Sequence, residues 1–160
     1  EEITTTPPTC PPCQNTCTTN EGTTNKGLTL PPDVPWHVVG DDTFVMFPQR
    51  MNWYDGQALC QTYNLNLYHP KNILAVAEYI DTNSFYSQYW LGAKGNGNDQ
   101  VWIDGEVLTS ADPWFRPDNY WNNGTNDCLA FITHSDYWAK GTVLFAVSGT
   151  VVTDYGIICG

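Results

Sequence analysis

The segment WYDGQALCQTYN, residues 53–64, reads as an amphipathic helix with its start signal written beside it. Asn52, just ahead of it, is a residue type whose side-chain oxygen accepts from N–H groups at a helix N-terminus, and Asp55 stands three places on, the spacing of a reciprocal cap. Tyr54, Ala58, Leu59 and Tyr63 recur at helical spacing and predict an apolar face on a helix that carries Cys60.

A second helix is expected after it. Ile73, Val76, Ala77 and Ile80 form its stripe, and Asp81, Thr82 and Asn83 end it. On the other side, Phe44-Val45-Met46-Phe47 predicts a short buried strand. Beyond the helices the pattern changes to strands: Tyr89-Trp90-Leu91-Gly92, then Gln100-Val101-Trp102-Ile103 closed by the hairpin dipeptide Asp104-Gly105. Between Asp104 and Asp127 periodicity stops, leaving Pro113, Pro117, Gly124, many polar side chains and the aromatics Trp114, Phe115, Tyr120 and Trp121. A loop longer than about 12–15 residues is uncommon unless it is functional or disordered, and these aromatics argue against disorder. Residues 128–133, 142–147 and 155–159 then complete an expected antiparallel set. Helices first, strands after and no internal repeat together predict an α+β domain rather than alternating βαβ units.

The totals exclude several function classes. Seventeen acidic residues against six basic ones, with no Lys/Arg cluster, repel phosphate backbones and anionic headgroups, so neither nucleic acid nor a membrane surface is an expected partner. No apolar run approaches the ~20 residues of a membrane span, and residues 1–32 show neither a charged n-region nor an apolar h-region, so the chain reads as mature and soluble. Those 32 residues, rich in Thr, Pro and Cys and poor in large apolar side chains, read as a stalk or hinge, with a folded domain over 33–160. Six cysteines, the sequon Asn123-Gly124-Thr125 and the Thr/Pro-rich beginning point to an oxidising route and a secreted, extracellular protein. The polar, Asn/Gly-rich setting of Asn123 predicts an exposed loop that can carry a glycan.

From about residue 36 to 160 the chain resembles a C-type lectin-like domain. The matching pieces are WYDGQALCQTYN in the first helix, YWLGAKG, VWIDG, the Pro-Asp inside the long loop, NDCLAF after it and YGIICG at the end, in that order. The resemblance implies two helices flanking antiparallel sheets, a long functional loop and a long-range disulfide from Cys60 to Cys159. A closed loop of about 100 residues stabilises by ~4–5 kcal/mol in the chain-entropy model. The family's second bridge begins at the cysteine carried here as Cys128, but its usual partner position falls near Val151, so that bridge is missing. The stalk holds Cys10, Cys13 and Cys17. Cys10-Pro-Pro-Cys13 resembles an antibody hinge: the prolines hold it extended and present both sulfurs to a second chain, which predicts a disulfide-linked homo-oligomer. Cys17 with Cys128 is the expected remaining pair. An intrachain Cys10–Cys17 bridge and a zinc site on these cysteines are the alternatives.

In family members that bind sugar, a loop triplet of Glu-Pro-Asn or Gln-Pro-Asp, a carboxylate before the loop-closing cysteine and an Asn-Asp pair on the next strand hold calcium. Calcium needs six to eight oxygens, several of them anionic. Here the triplet is Arg116-Pro117-Asp118, and a guanidinium is a fixed cation with no lone pair to offer. Unit charges about 4 Å apart at an effective dielectric near 20 interact by ~4 kcal/mol, and a divalent ion meets roughly twice that in repulsion. Two before Cys128, where the family carries a carboxylate, stands Asn126, a weaker ligand, with Asp127 beside it, and the Asn-Asp pair aligns with Ala139-Lys140 or Ala146-Val147. No metal site is therefore expected, although Asp118, Asn119, Asn126 and Asp127 leave another calcium arrangement open, and Asp99 and Asp112 an auxiliary one. Arg116 paired with Asp118 or Asp127 is the metal-free reading.

His37, His69 and His134 are scattered, and no Ser, Cys or carboxylate sits in a nucleophile motif, so the chain does not read as an enzyme. The expected function is recognition of a glycan or another surface ligand through the long loop, without calcium chelation. Trp114, Tyr120 and Trp121 would stack on sugar faces while Arg116, Asp118, Asn119, Asn126 and Asp127 supply polar contacts. Two alternatives remain on the same fold: a carrier of a flat apolar lipid or carotenoid pigment in an aromatic groove, and a binder of protein or ice surfaces.

Overall fold

A computed structural model of the chain describes residues 28–84, 86–96, 99–108, 127–132, 144–148 and 155–160. Its elements are β1 (Trp36–Val39), β2 (Asp42–Met51), α1 (Trp53–Thr62), α2 (Ile73–Asn83), β3 (Gln88–Asn96), β4 (Asp99–Trp102), β5 (Val107–Leu108), β6 (Asp127–Ile132), β7 (Leu144–Ser148) and β8 (Tyr155–Cys159). This is the expected α+β order. Sequence reading did not anticipate β1 and β5, which are short strands paired with β2 and β4.

Asn52 caps α1 as its position implies. Its Oδ1 accepts from the Asp55 N–H at 2.9 Å, and its Nδ2 donates to Asp55 Oδ2 at 2.7 Å. The helix ends in a Schellman turn: Asn64 takes a left-handed φ of 60°, its N–H reaches Gln61 O, and the Leu65 N–H reaches Cys60 O. The buried seam differs from the predicted face. Trp53, Gly56 and Cys60 are buried, Tyr54, Leu59 and Tyr63 flank them, and Ala58 is exposed. Close approach to β8 explains the rotation, because a Cβ on Gly56 would lie 2.6 Å from Ile157 Cδ1. α2 keeps its predicted stripe, with Val76, Ala77 and Ile80 buried and Ile73 partly so. Asn72 caps it by accepting from the Ala75 N–H at 3.1 Å.

The strands form one sheet in the order β1-β2-β8-β3-β4-β5, with β6 on β3 and β7 on β6. The sheet is mixed rather than wholly antiparallel. β8 lies between β2 and β3 and pairs parallel to β3, Tyr89 facing Gly156 and Trp90 facing Ile157, while the other pairings among the described residues are antiparallel. β2 and β3 run in opposite directions, so a strand between them must run with one of them, and strand periodicity carries no signal of which.

Among the described residues, two apolar clusters fill the interior. One, under α2, joins Phe44, Tyr68, Leu91, Trp102, Leu129 and Ile158; the other, under α1, joins Val45, Trp53, Leu67, Trp90, Ile157 and the Cys60–Cys159 disulfide. That bridge, with Cα atoms 5.6 Å apart, is the pairing the family resemblance implies. The indoles of Trp53 and Trp90 are satisfied by backbone, Trp53 Nε1 donating to Leu91 O at 2.7 Å and Trp90 Nε1 to Met51 O at 2.9 Å. Ahead of β1, the Leu28 N–H donates to Thr62 O at 3.0 Å and Leu30 packs against the α1 cluster.

Candidate functional site

The long loop is anchored by a row of the sheet. Lys94 on β3 faces Val101 on β4 and Cys128 on β6; one step along, Gly95 pairs with Gln100, and Gln100 pairs with Leu108 on β5. Leu108 ends β5 and Asp127 begins β6. The ends that flank residues 109–126 therefore lie on β5 and β6, strands separated by β4 and β3, three strand spacings or about 14 Å across the sheet. Gln100, in the middle of that row, is fully buried, and neither atom of its side-chain amide has a partner among the described residues. It is a polar spot on an inner face otherwise made of Ala93, Trp102 and Leu108.

Trp114, Arg116, Asp118, Asn119, Tyr120, Trp121 and Asn126 lie outside the described residues, as do Asp112, the sequon Asn123 and the cysteines Cys10, Cys13 and Cys17. Asp127 is the first residue of β6, its backbone paired with Ser148 on β7. Cys128 is buried in the α1 cluster. Of the two alignments for the Asn-Asp pair, Ala146-Val147 falls within β7, facing Leu129 and Cys128 in register.

Beside Leu108 the structure shows a cleft of about 400 Å³ between the 69–73 segment and the β4–β5 turn. His69 rises from the first wall. Its backbone neighbour Tyr68 is pinned on both sides, donating to Ile158 O at 3.0 Å and accepting from the Gly92 N–H at 2.9 Å. Behind it, the buried Asp42 carboxylate accepts from the Tyr68 hydroxyl, the Lys71 N–H at 2.7 Å and the Asn72 N–H at 2.9 Å. Burial and then the Asp42 contact push the Tyr68 phenol well above its ordinary range.

The second wall is the turn that Asp104-Gly105 predicts. Gly105 takes φ +94°, the Trp102 N–H donates to Glu106 O at 2.8 Å, and the Glu106 N–H reaches Asp104 Oδ1 at 3.2 Å. Across the cleft the His69 ring lies flat on Trp102, with centroids 3.9 Å apart and planes 11° from parallel. His69 Nδ1 is 2.6 Å from Asp104 Oδ2, and His69 Nε2 is 4.0 Å from Glu106 Oε2. Burial works against the charged Asp104 carboxyl, but the His69 hydrogen bond, the Glu106 N–H and the His69 charge outweigh it and hold its pKa below the usual range. Sequence reading treated His69 as a lone surface histidine and Asp104-Gly105 only as a hairpin. The one signal available was Glu106 two residues after Asp104; the meeting of Asp104 with a histidine 35 residues away is tertiary.

A family model described as the lectin C-type domain matches residues 49–144. Among solved structures, the chain is similar to TC14, a C-type lectin from the tunicate Polyandrocarpa misakiensis, at 21% identity and a TM-score of 0.54 over 72% of this chain and 94% of that one. It is similar to the Ca2+-independent C-type lectin SPL-2 from Saxidomus purpuratus at 20% identity and a TM-score of 0.58, over 78% of this chain and 88% of that one. A third likeness is to SPL-1 in complex with GlcNAc, at 20% identity and a TM-score of 0.57, over 78% and 90% of the two chains. No curated protein matches the sequence.

Proposed function

Because the chain belongs to the C-type lectin domain family, we propose that it is a non-enzymatic recognition protein whose 109–126 loop, with Asp127, binds a glycan without the usual calcium chelate. The observation that carries this reading is Arg116 in the Arg116-Pro117-Asp118 triplet, a permanent cation where the chelate needs an oxygen. Two similarities support it: SPL-2 is a Ca2+-independent lectin and SPL-1 is in complex with GlcNAc, so this fold takes both features elsewhere. Trp114, Tyr120 and Trp121 supply stacking surfaces, and Arg116, Asp118, Asn119, Asn126 and Asp127 the polar contacts.

Secretion and a disulfide-linked oligomer through Cys10 and Cys13 complete the proposal. Several weak sites on one hinge raise apparent affinity about 100-fold or more when geometry lets them engage together. The described cleft, with His69, Lys71, Asp104 and Glu106 on its walls, does not favour a flat apolar ligand, and the glycan reading is kept over the carrier.

A glycan array probed with and without EDTA tests the reading. Equal binding in both is the expected result. Binding abolished by EDTA, or no glycan bound in either condition, overturns it.

A further inference from the structure

We propose that His69 and Glu106 form a binding site for a borderline transition-metal ion such as Zn2+, with Asp104 as the residue that positions the imidazole. This goes beyond the glycan reading, and uses no residue of the 109–126 loop.

The ring of His69 is fixed in two independent ways. Stacking on Trp102 sets its plane, and the 2.6 Å contact with Asp104 Oδ2 occupies Nδ1. A carboxylate accepts and does not donate, so Nδ1 carries the proton in the neutral ring and the lone pair lies on Nε2. Nε2 is the atom that faces Glu106, 4.0 Å from Oε2. Zinc–nitrogen bonds are about 2.0–2.1 Å and zinc–carboxylate bonds about 2.0–2.2 Å, so a single ion spans that gap, and a small turn of the exposed Glu106 side chain bends the angle toward tetrahedral. Carboxylate to histidine to metal is the arrangement by which an outer group fixes a ligating ring. His69, Asp104 and Glu106 each bring one donor atom within 4.8 Å of the others.

The surroundings agree. Lys71, the cation on the same wall, turns its Nζ to the Asp41 carbonyl at 3.3 Å. The cleft is open, so water or an external ligand completes the coordination. An imidazole donor selects zinc, nickel or copper over calcium, which prefers oxygen throughout. The competing reading is a plain histidine–carboxylate surface pair, worth little to stability and holding no ion.

Calorimetric titration of the full chain with Zn2+, and in parallel with Ca2+, decides between them. The wild type is expected to bind Zn2+ with a contribution that falls at least about 10-fold in affinity in both His69→Gln and Glu106→Gln, and Ca2+ is not expected to share it. Asp104→Asn is expected to weaken Zn2+ by about 10- to 100-fold. The same substitution is expected to move the metal-free His69 15N shifts from the Nδ1–H pattern toward a tautomer mixture while near-UV circular dichroism stays that of the wild type, a combination that unfolding does not give. The cysteines are identical in all four chains, so their zinc affinity cancels in the comparison. Wild-type protein that takes no Zn2+, or Gln variants that bind it as the wild type does, overturns the proposal. Near-UV circular dichroism matching the wild type establishes that each variant is folded.

Discussion

Around α1 the molecule is apolar and covalently closed; around the Trp102–Glu106 turn it is polar and open. The first region packs Trp53, Gly56 and Cys60 onto Ile157 and joins helix to final strand by the Cys60–Cys159 bridge. The second sets His69 against Trp102, Asp104 and Glu106 beside the row from which the long loop departs. Stability and chemistry are therefore separated in space. A scaffold that keeps its strongest constraints away from the loop base can change the residues there at small cost to folding.

Removing the bridge with Cys60→Ser and Cys159→Ser together is expected to have the largest effect, about 4 kcal/mol by loop-closure entropy. The urea midpoint measures it. Under conditions where the variant stays folded, Zn2+ affinity at the cleft is expected to hold within about twofold, because no member of the His69 cluster belongs to the α1 cluster. A loss of both together would break the separation.

Asp42→Ala comes next, at about 2–4 kcal/mol, because it leaves the Tyr68 hydroxyl and the Lys71 and Asn72 N–H groups without their acceptor in a buried place. This variant sharpens the contrast. Asp42 lies between the two regions: it supports the segment that carries His69 from beneath, so both the denaturation midpoint and cleft affinity are expected to fall. Asp42→Asn, which keeps an acceptor, is expected to lose less of each.

How much of this was legible in the sequence follows the same division. α1 could be read from Asn52, Asp55 and the apolar spacing because caps and periodicity are local, and α2 from its stripe for the same reason. The exposure of Ala58 was not legible, since the helix rotates to bring Gly56 against Ile157, a partner about a hundred residues away. The parallel β3–β8 pairing was hidden likewise, because a strand's alternation is the same whichever neighbour it runs beside. At the loop, residue chemistry was readable and placement was not: Arg116 carries the expectation of a broken chelate, and it lies outside the described residues. At the cleft even the chemistry was missed, because His69 acquires its meaning only when Trp102 and Asp104 close on it.

The smallest expected effect comes from Asp104 and depends on pH. Its folded-state pKa lies below the ordinary carboxylate value, so the ionised form is favoured by folding. A depressed carboxylate contributes stability that is fully present above its unfolded pKa and is lost as pH falls through the folded one. Wild type and Asp104→Asn should therefore differ near neutral pH and converge in acid, below the usual carboxylate range. The side chain is 57% exposed, and solvent screening limits the difference to less than about 1 kcal/mol. Denaturation curves at pH 7 and at pH 3 or below (values chosen to bracket the ordinary carboxylate range) measure it. A difference that grows toward acid would mean that the His69–Asp104 contact is not held by the ionised carboxylate. Asp104 would then have no reason to keep the imidazole proton on Nδ1, and the polar region would lose the feature that sets it apart from the apolar one.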